Sequence, residues 1–154
     1  MKRKPKVLVS ACLLGIACRY DGGAKSVASL EALLERAELI PFCPEQLGGL
    51  PTPRMPSERR GARVFNREGA DVTDAFERGA VQALKLAQLF GAEYALLKAR
   101  SPSCGNLEIY DGSFSGRTIP GQGVAATALE EAGLALFNET QLDALYDALK
   151  GTDR

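Results

Sequence analysis

The chain has 154 residues, 45% of them hydrophobic and 25% charged, a balance that suits one globular domain with a core of its own. Lys plus Arg and Asp plus Glu both number 19, so no overall field draws the protein to nucleic acid at large or to a membrane surface; a small nucleobase or nucleotide substrate stays open. Four cysteines and no histidine exclude Cys/His zinc sites, Ser-His-Asp and Cys-His hydrolases, and any histidine acid–base chemistry.

Met1-Lys-Arg-Lys-Pro-Lys6 is basic, but the apolar run after it is only strand-length, too short for a secretory signal. No run approaches the roughly 18 apolar residues of a membrane helix. A cytoplasmic protein is expected, and reduced thiols there point to metal binding or catalysis rather than to disulfides.

Residues 6–11 read as a first short strand covered on both faces. Leu13 to Lys25 reads as a loop turning at Asp21-Gly22-Gly23. Ser26 can cap a helix through Ala37, with Val27, Leu30, Leu33 and Leu34 on one stripe. A second strand covers 38–42. From Cys43 to Arg63 the chain holds prolines at 44, 51, 53 and 56 and glycines at 48, 49 and 61, which reads as a long functional loop. Ala62 to Asn66 is a short accessory strand. Asp71 to Gly91 reads as a long helix, with Thr73 or Asp74 as cap, Phe76, Ala80, Leu84 and Ala87 along one face, and Gly91 as stop. Residues 94–98 form a third core strand, and 99–120 an irregular stretch with a hairpin around Asp111-Gly112. A helix over 121–132, a strand over Leu134 to Phe137 and a helix from Thr140 to Lys150 complete the chain. This alternation predicts an α/β protein, one domain over 1–154. Its expected form is a Rossmann-like three-layer fold with a mostly parallel sheet of about four core strands joined by right-handed crossovers.

Three cysteines stand where apolar runs stop. Val7 to Ala11 leads into Cys12, Glu38 to Phe42 into Cys43, and Tyr94 to Lys98 into Ala99-Arg-Ser101-Pro-Ser103-Cys104. Strand carboxyl ends share one edge of a parallel sheet, and ligands bind outside that edge, so these thiols are expected to form one site. A closed zinc site wants four ligands, usually in C-x-x-C pairs, and the nearest pair here is Cys12 and Cys18. Three thiolates with an open position suit an iron–sulfur cluster with one exposed iron, or a catalytic metal. The bland alternative is thiols packed as small hydrophobes. Cys18, in a loop, reads as a spare thiol near or outside the ligand set.

Val-Ser-Ala-Cys12-Leu-Leu-Gly, Arg19-Tyr-Asp-Gly22, Cys43-Pro-Glu45, Gly-Gly-Leu-Pro-Thr-Pro-Arg54, Lys98-Ala-Arg-Ser-Pro-Ser-Cys104-Gly and Ile-Tyr-Asp-Gly-Ser-Phe114 run through nearly the whole chain. Together they resemble the motifs of the small bacterial family that includes the 2-thiouracil desulfurases (desulfidases). The resemblance implies a [4Fe-4S] cluster on Cys12, Cys43 and Cys104, its fourth iron free to bind substrate sulfur. It also implies Glu45 as the acid/base residue and Ser101 as a catalytic hydroxyl. The implied reaction converts a thiolated pyrimidine, 2-thiouracil or a related thiobase or thionucleotide, to its oxo form with release of sulfide, and is non-redox overall.

The chemistry of the residues agrees with this. An iron site is thiophilic, and without histidine a carboxylate is the obvious group to take a proton from water. The bland reading of Glu45 is a solvated loop residue, and of Ser101 a turn cap before Pro102. Tyr20, Asp21, Ser103 and Tyr110 are candidates to stack on or hydrogen-bond the pyrimidine. Arg54, Arg59, Arg60 and Arg63 read as a solvated loop, with a phosphate patch as the sharper alternative. Gly121-Gln-Gly123-Val-Ala-Ala126 imitates a dinucleotide fingerprint but lacks a strand directly before it, so its glycines more plausibly start a helix whose amides face the pocket. Two other classes compete: a non-catalytic protein holding structural zinc or a sensing cluster, and a thiol redox enzyme, weakened by the missing C-x-x-C. A monomer is expected.

Overall fold

The protein was analysed as a computed structural model that describes residues 3–27 and 29–152. Met1 and Lys2 of the basic start, Ala28 within the expected first helix, and Asp153 and Arg154 lie outside the described residues.

The core is a parallel sheet of β1 (Lys6–Ser10), β2 (Glu38–Phe42), β5 (Tyr94–Leu97) and β8 (Ala135–Asn138), in the order β2-β1-β5-β8. Val7 registers with Leu39 on one side and Tyr94 on the other, and Tyr94 in turn with Ala135. Alternation assigns the faces. Leu8, Ala95 and Leu97 point to one side, Val7, Val9 and Leu96 to the other, and all six are fully buried. On the first face lie α3 (Thr73–Phe90) and α4 (Val124–Glu131), meeting along a seam of small residues that includes Ala80, Ala83, Ala125 and Ala126. On the second face lie α1 (Leu30–Arg36) and α5 (Leu142–Thr152), which contribute Leu33, Leu145 and Leu149. The result is the expected three-layer α/β arrangement. Because the chain leaves β1 for β2 on one side and returns on the other as β5, the direction of winding reverses between β1 and β5. A crevice opens at the carboxyl ends of such strands.

Two antiparallel pairs sit outside this core: β3 (Ser57–Arg60) with β4 (Arg63–Asn66), and β6 (Glu108–Tyr110) with β7 (Thr118–Pro120). The second pair is the expected hairpin, its connection running through Asp111-Gly112. The first was half expected. β3 lies inside the stretch read as loop, because Ser-Glu-Arg-Arg has no apolar alternation to mark it. That stretch also holds the four-residue helix α2 (Pro44–Leu47), too short to show a period.

Helix boundaries needed other corrections. α1 starts at Leu30 behind Ser29, and neither serine makes a side-chain cap. Residues 25–27 instead tie back to the short 3-10 turn Ala11–Leu14, through Lys25 N to Cys12 O and Val27 N to Leu13 O. Leu34, expected on the buried stripe, is exposed. On α3 the N-cap position is Val72; Thr73 is the first helical residue, and its hydroxyl accepts Val64 N at 2.8 Å. Gly91 stops α3 in the left-handed region as expected.

α2 buries Pro44 and is tightly seated on α3. A Cβ on Gly79 would run into the Pro44 carbonyl, and one on Gly48 into the Ala75 carbonyl. In an open helix Ala in place of Gly is favoured by about 1 kcal/mol, but overpacking against backbone costs about 1–3 kcal/mol. Gly79→Ala is therefore expected to lower stability by up to about 2 kcal/mol net, read as a lower urea midpoint at unchanged slope. A higher midpoint would mean that α2 has no fixed seat.

Candidate active site

The crevice is a cavity of about 670 Å³, within the range of small-molecule sites. Cys12 enters it from the turn after β1, Cys43 from the end of β2 and Cys104 from the segment after β5, and Cys18 lines it as well. The sheet thus gathers the three strand-end thiols, and the loop adds the fourth. Burial pushes the Cys104 thiol up to about 12, against the hydrogen bonds from Ser10 and Ser103. Burial, reinforced by Cys43, pushes Cys18 to about 12. Cys12 is also raised by burial, an effect the Lys98 ammonium partly offsets. The Cys43 thiol donates weakly to the Cys18 carbonyl at 3.7 Å. Thiols in this state are neutral, so metal loading must release protons. Among the described residues, no three His, Cys, Asp or Glu side chains are placed to hold a single metal ion. A donor set of thiols converging from separate strands fits a [4Fe-4S] group, which takes one thiolate per iron.

Glu45 lies on α2, one residue after the proline that opens the helix, with Cys43 at its N-cap. It is not a solvated loop residue. Its Oε1 accepts Arg54 Nε at 2.9 Å, and the two side chains are 13% and 7% exposed. Arg54 therefore corrects the expectation of a solvated arginine. Its Nη2 donates to Cys18 O at 3.0 Å, its Nη1 to Pro51 O and Thr52 Oγ1, and its backbone N to Tyr20 O. Breaking such a buried pair by deleting one partner typically costs about 3–5 kcal/mol. The signal for it was available: a carboxylate placed in a pocket needs a partner, and Arg54 is in the same loop.

The other arginines of the group serve elsewhere. Arg59 donates to Gly61 O and Gln122 O, Arg60 stacks on Phe65, and Arg63 pairs with Asp71.

Across from Glu45, Ser103 Oγ donates to its Oε2 at 2.9 Å and lies 3.0 Å from Ser101 Oγ. Ser101 Oγ also accepts Ser103 N at 3.2 Å and Cys104 N at 3.1 Å, the turn-capping geometry of a serine before proline. Glu45, Ser101 and Ser103 all line the cavity, Ser103 being only 2% exposed. The segment is held from behind by α4. Gly123 N, Val124 N and Ala126 N donate to Gly105 O, Pro102 O and Ser103 O. Those amides were expected to face the pocket; the loop carbonyls take them instead. Gly123 must be glycine here, because a Cβ would collide with the Ser103 carbonyl.

Tyr20 and Tyr110 line the cavity, Tyr20 at its exposed rim. Asp21 does not line it. Its carboxylate accepts Gly23 N and faces Arg19 at 3.8 Å near the surface. Sequence reasoning missed the pair of Lys98 Nζ and Glu139 Oε2, 2.7 Å apart on the cavity wall, with Glu139 Oε1 also accepting Ala99 N. It also missed Glu58, which accepts Gly112 N and Phe114 N and so draws the hairpin loop over the cavity. Both partners lie 40 or more residues apart in sequence, and only the topology joins them.

A pocket at a winding reversal, walled by strand-end thiols and by a buried carboxylate bonded to Ser103, has the donor set of a metallocluster site. The sequence model of the 2-thiouracil desulfurase family matches residues 7–141, and the chain belongs to that family. It is 39% identical over 147 residues to the uncharacterized protein YbbK of Bacillus subtilis (strain 168), covering 89% of this chain and 97% of that protein. Among solved structures it is similar to the [4Fe-4S]-dependent thiouracil desulfidase TudS, with 48% identity and a TM-score of 0.92 over 96% of this chain and 99% of that one. No helix among the described residues is long and apolar enough to cross a membrane.

Proposed function

We propose that the protein is a [4Fe-4S]-dependent desulfidase that converts a thiolated pyrimidine to its oxo form with release of sulfide, acting in the cytoplasm as a single-domain monomer on a small-molecule substrate. The observation that carries this is the convergence of Cys12, Cys43 and Cys104 on one cavity beside the Glu45–Ser103–Ser101 hydrogen bonds. In the reaction, water must add to the carbon bearing sulfur and the sulfur must leave. Cys12, Cys43 and Cys104 would hold the cluster, and when bound it supplies a thiophilic Lewis-acid iron for the substrate sulfur. Glu45 serves as the general base for water, with the Ser101 hydroxyl beside it on the cavity wall. Tyr20 and Tyr110 offer ring faces to the pyrimidine, while Asp21 lies outside the cavity wall. Arg19, Lys25, Arg67 and Arg100 also line the cavity. Free base, nucleoside and nucleotide forms of 2-thio- and 4-thiouracil therefore all belong in the assay.

The test is sulfide release from these compounds by anaerobically reconstituted protein. A brown, iron-loaded sample that releases none from any of them would leave a non-catalytic cluster protein, and a colourless zinc-loaded sample a structural metal site. Thiocarbonyl sulfur and sulfide are both formally S(2−). Multiple turnovers are thus expected with water as the only co-substrate, followed as product per chain without added reductant. A stoichiometric demand for reductant with the cluster intact would contradict a non-redox reaction.

A further inference from the structure

Two residues with an unfavourable backbone mark one wall of the cavity. Among the described residues, two that are not glycine have a positive φ, Arg100 at 68° and Phe114 at 56°, and both line the cavity. The left-handed region disfavours a side chain as bulky as phenylalanine, and such a residue persists only where its surroundings hold it. Glycine would adopt this backbone freely, yet the chain carries a phenyl ring here. The surroundings that hold Phe114 come from a different hairpin. Glu58 Oε1, on β3, accepts both Gly112 N and Phe114 N at 3.0 Å, across 54 and 56 residues of sequence. Asp111 N donates to Arg117 O at 3.0 Å and closes the base of the loop. Gly112 lies directly on β3, since a Cβ there would run into the Arg60 side chain. A carboxylate, a loop closure and a glycine seat thus keep Phe114 half-buried in the cavity wall. The Arg67 guanidinium takes one face of its ring, 5.9 Å from the centroid, which leaves the second face for a ligand. A phenyl ring has no donor or acceptor, so what it offers a ligand is a flat apolar surface.

We propose that Phe114 determines specificity: its ring is the face on which a planar pyrimidine lies, and Glu58 is the positioning residue that latches it there. This rests on the desulfidase function proposed above and names the substrate feature that the site selects. A thiocarbonyl compound with a flat, conjugated ring can lie along the phenyl face, and base–aromatic stacking is worth about 5–150-fold in affinity. A ring saturated at its C5–C6 bond is puckered and has no π face there, although it carries the same C=S group. Phe114 therefore separates conjugated thiobases from saturated thioamides of the same size, a distinction that neither the thiols nor Glu45 can make.

The experiment uses the iron-loaded protein and has two arms. Uracil and 5,6-dihydrouracil carry no sulfur to lose, so their dissociation constants can be read by equilibrium dialysis without turnover. Wild type is expected to hold uracil at least about fivefold tighter than dihydrouracil. Phe114→Leu keeps the apolar bulk without the ring and should bring that ratio to within about twofold of one, while Phe114→Tyr should keep it. In kinetics with 2-thiouracil, Phe114→Leu should raise KM by roughly 5–150-fold with kcat within about threefold of wild type, the pattern of lost uniform binding. Glu58→Ala should raise KM alike and speed hydrogen exchange at the Gly112 and Phe114 amides. Glu58→Gln, whose oxygen still accepts, should do neither. Adding Phe114→Leu to Glu58→Ala should cost less than about threefold more, because the latch acts through the ring. A uracil preference unchanged by Phe114→Leu would make the ring mere hairpin packing and overturn the proposal, as would a wild type that binds the two compounds alike. A Glu58→Ala protein with wild-type KM would remove the latch. If iron-loaded wild type releases no sulfide, the desulfidase function fails, and the dialysis arm still decides the ring contact.

Discussion

Replacing Cys12, Cys43 or Cys104 by serine is expected to remove nearly all the iron retained after anaerobic reconstitution, while Cys18→Ser keeps most of it. Cys12 and Cys43 follow the paired strands β1 and β2, and Cys104 is fixed by the segment after β5 that α4 holds from behind. Cys18 is carried by a loop whose position depends on Arg54, through the bonds from that residue to Cys18 O and Tyr20 O. A softer tether suits a neighbour better than a ligand. Thiolate is the soft donor that iron–sulfur groups select, and serine is not. Since Ser is close to Cys in size, the fold should survive. Circular dichroism on the same samples separates lost metal from lost structure. Iron per chain is the readout. A Cys18→Ser protein as poor in iron as the other three would make Cys18 a fourth ligand and close the position that substrate sulfur needs.

Glu45→Gln is expected to keep the iron and the fold but to lower turnover by roughly 10²–10⁴, the usual worth of general-base help. Glutamine is nearly isosteric: its oxygen can still accept from Arg54, while its NH2 can only donate to Ser103 Oγ, so the side chain keeps its place while the base is lost. Binding of substrate sulfur does not need the carboxylate. A substrate-dependent change in the visible absorption should therefore persist and last longer than in wild type. Iron content, the spectral change and product formation are to be measured on one preparation. Full iron with turnover near wild type would remove Glu45 from the reaction.

How much of this could be read from residues alone depended on the length scale of each signal. β2 was placed to the residue, because Glu38 to Phe42 is an apolar run between a helix end and a Cys-Pro break. The long helix α3 was legible from its period and its Gly91 stop. α2 was not, although Glu45 rides on it: four residues held by two glycine contacts leave no periodic trace. Cys12, Cys43 and Cys104 could be grouped because a parallel sheet aligns strand ends. The Lys98–Glu139 pair could not, since it depends on where a distant strand comes to rest, whereas Arg54 stood in the same stretch as Glu45 and could have been paired with it. Ser101 was singled out through motif resemblance, yet its two amide contacts and its hydrogen bond with Ser103 are visible only in three dimensions.

The seam between α3 and α4 reaches further than its alanines suggest. α2, with Glu45, is seated on α3 through Gly79, and the Ser101–Cys104 segment is seated on α4 through Gly123. The two halves of the reacting centre are thus mounted on two different helices, and the width of their gap is an interaxial distance fixed by Ala80, Ala83, Ala125 and Ala126. Bulkier side chains at these positions would push the mounts apart without touching the cavity. Tolerance in a 2.9 Å contact is a few tenths of an ångström, so the seam behaves as a calibrated spacer. Variation in the hydrophobic layer, far from any substrate, would then appear first as altered turnover and only later as lost stability.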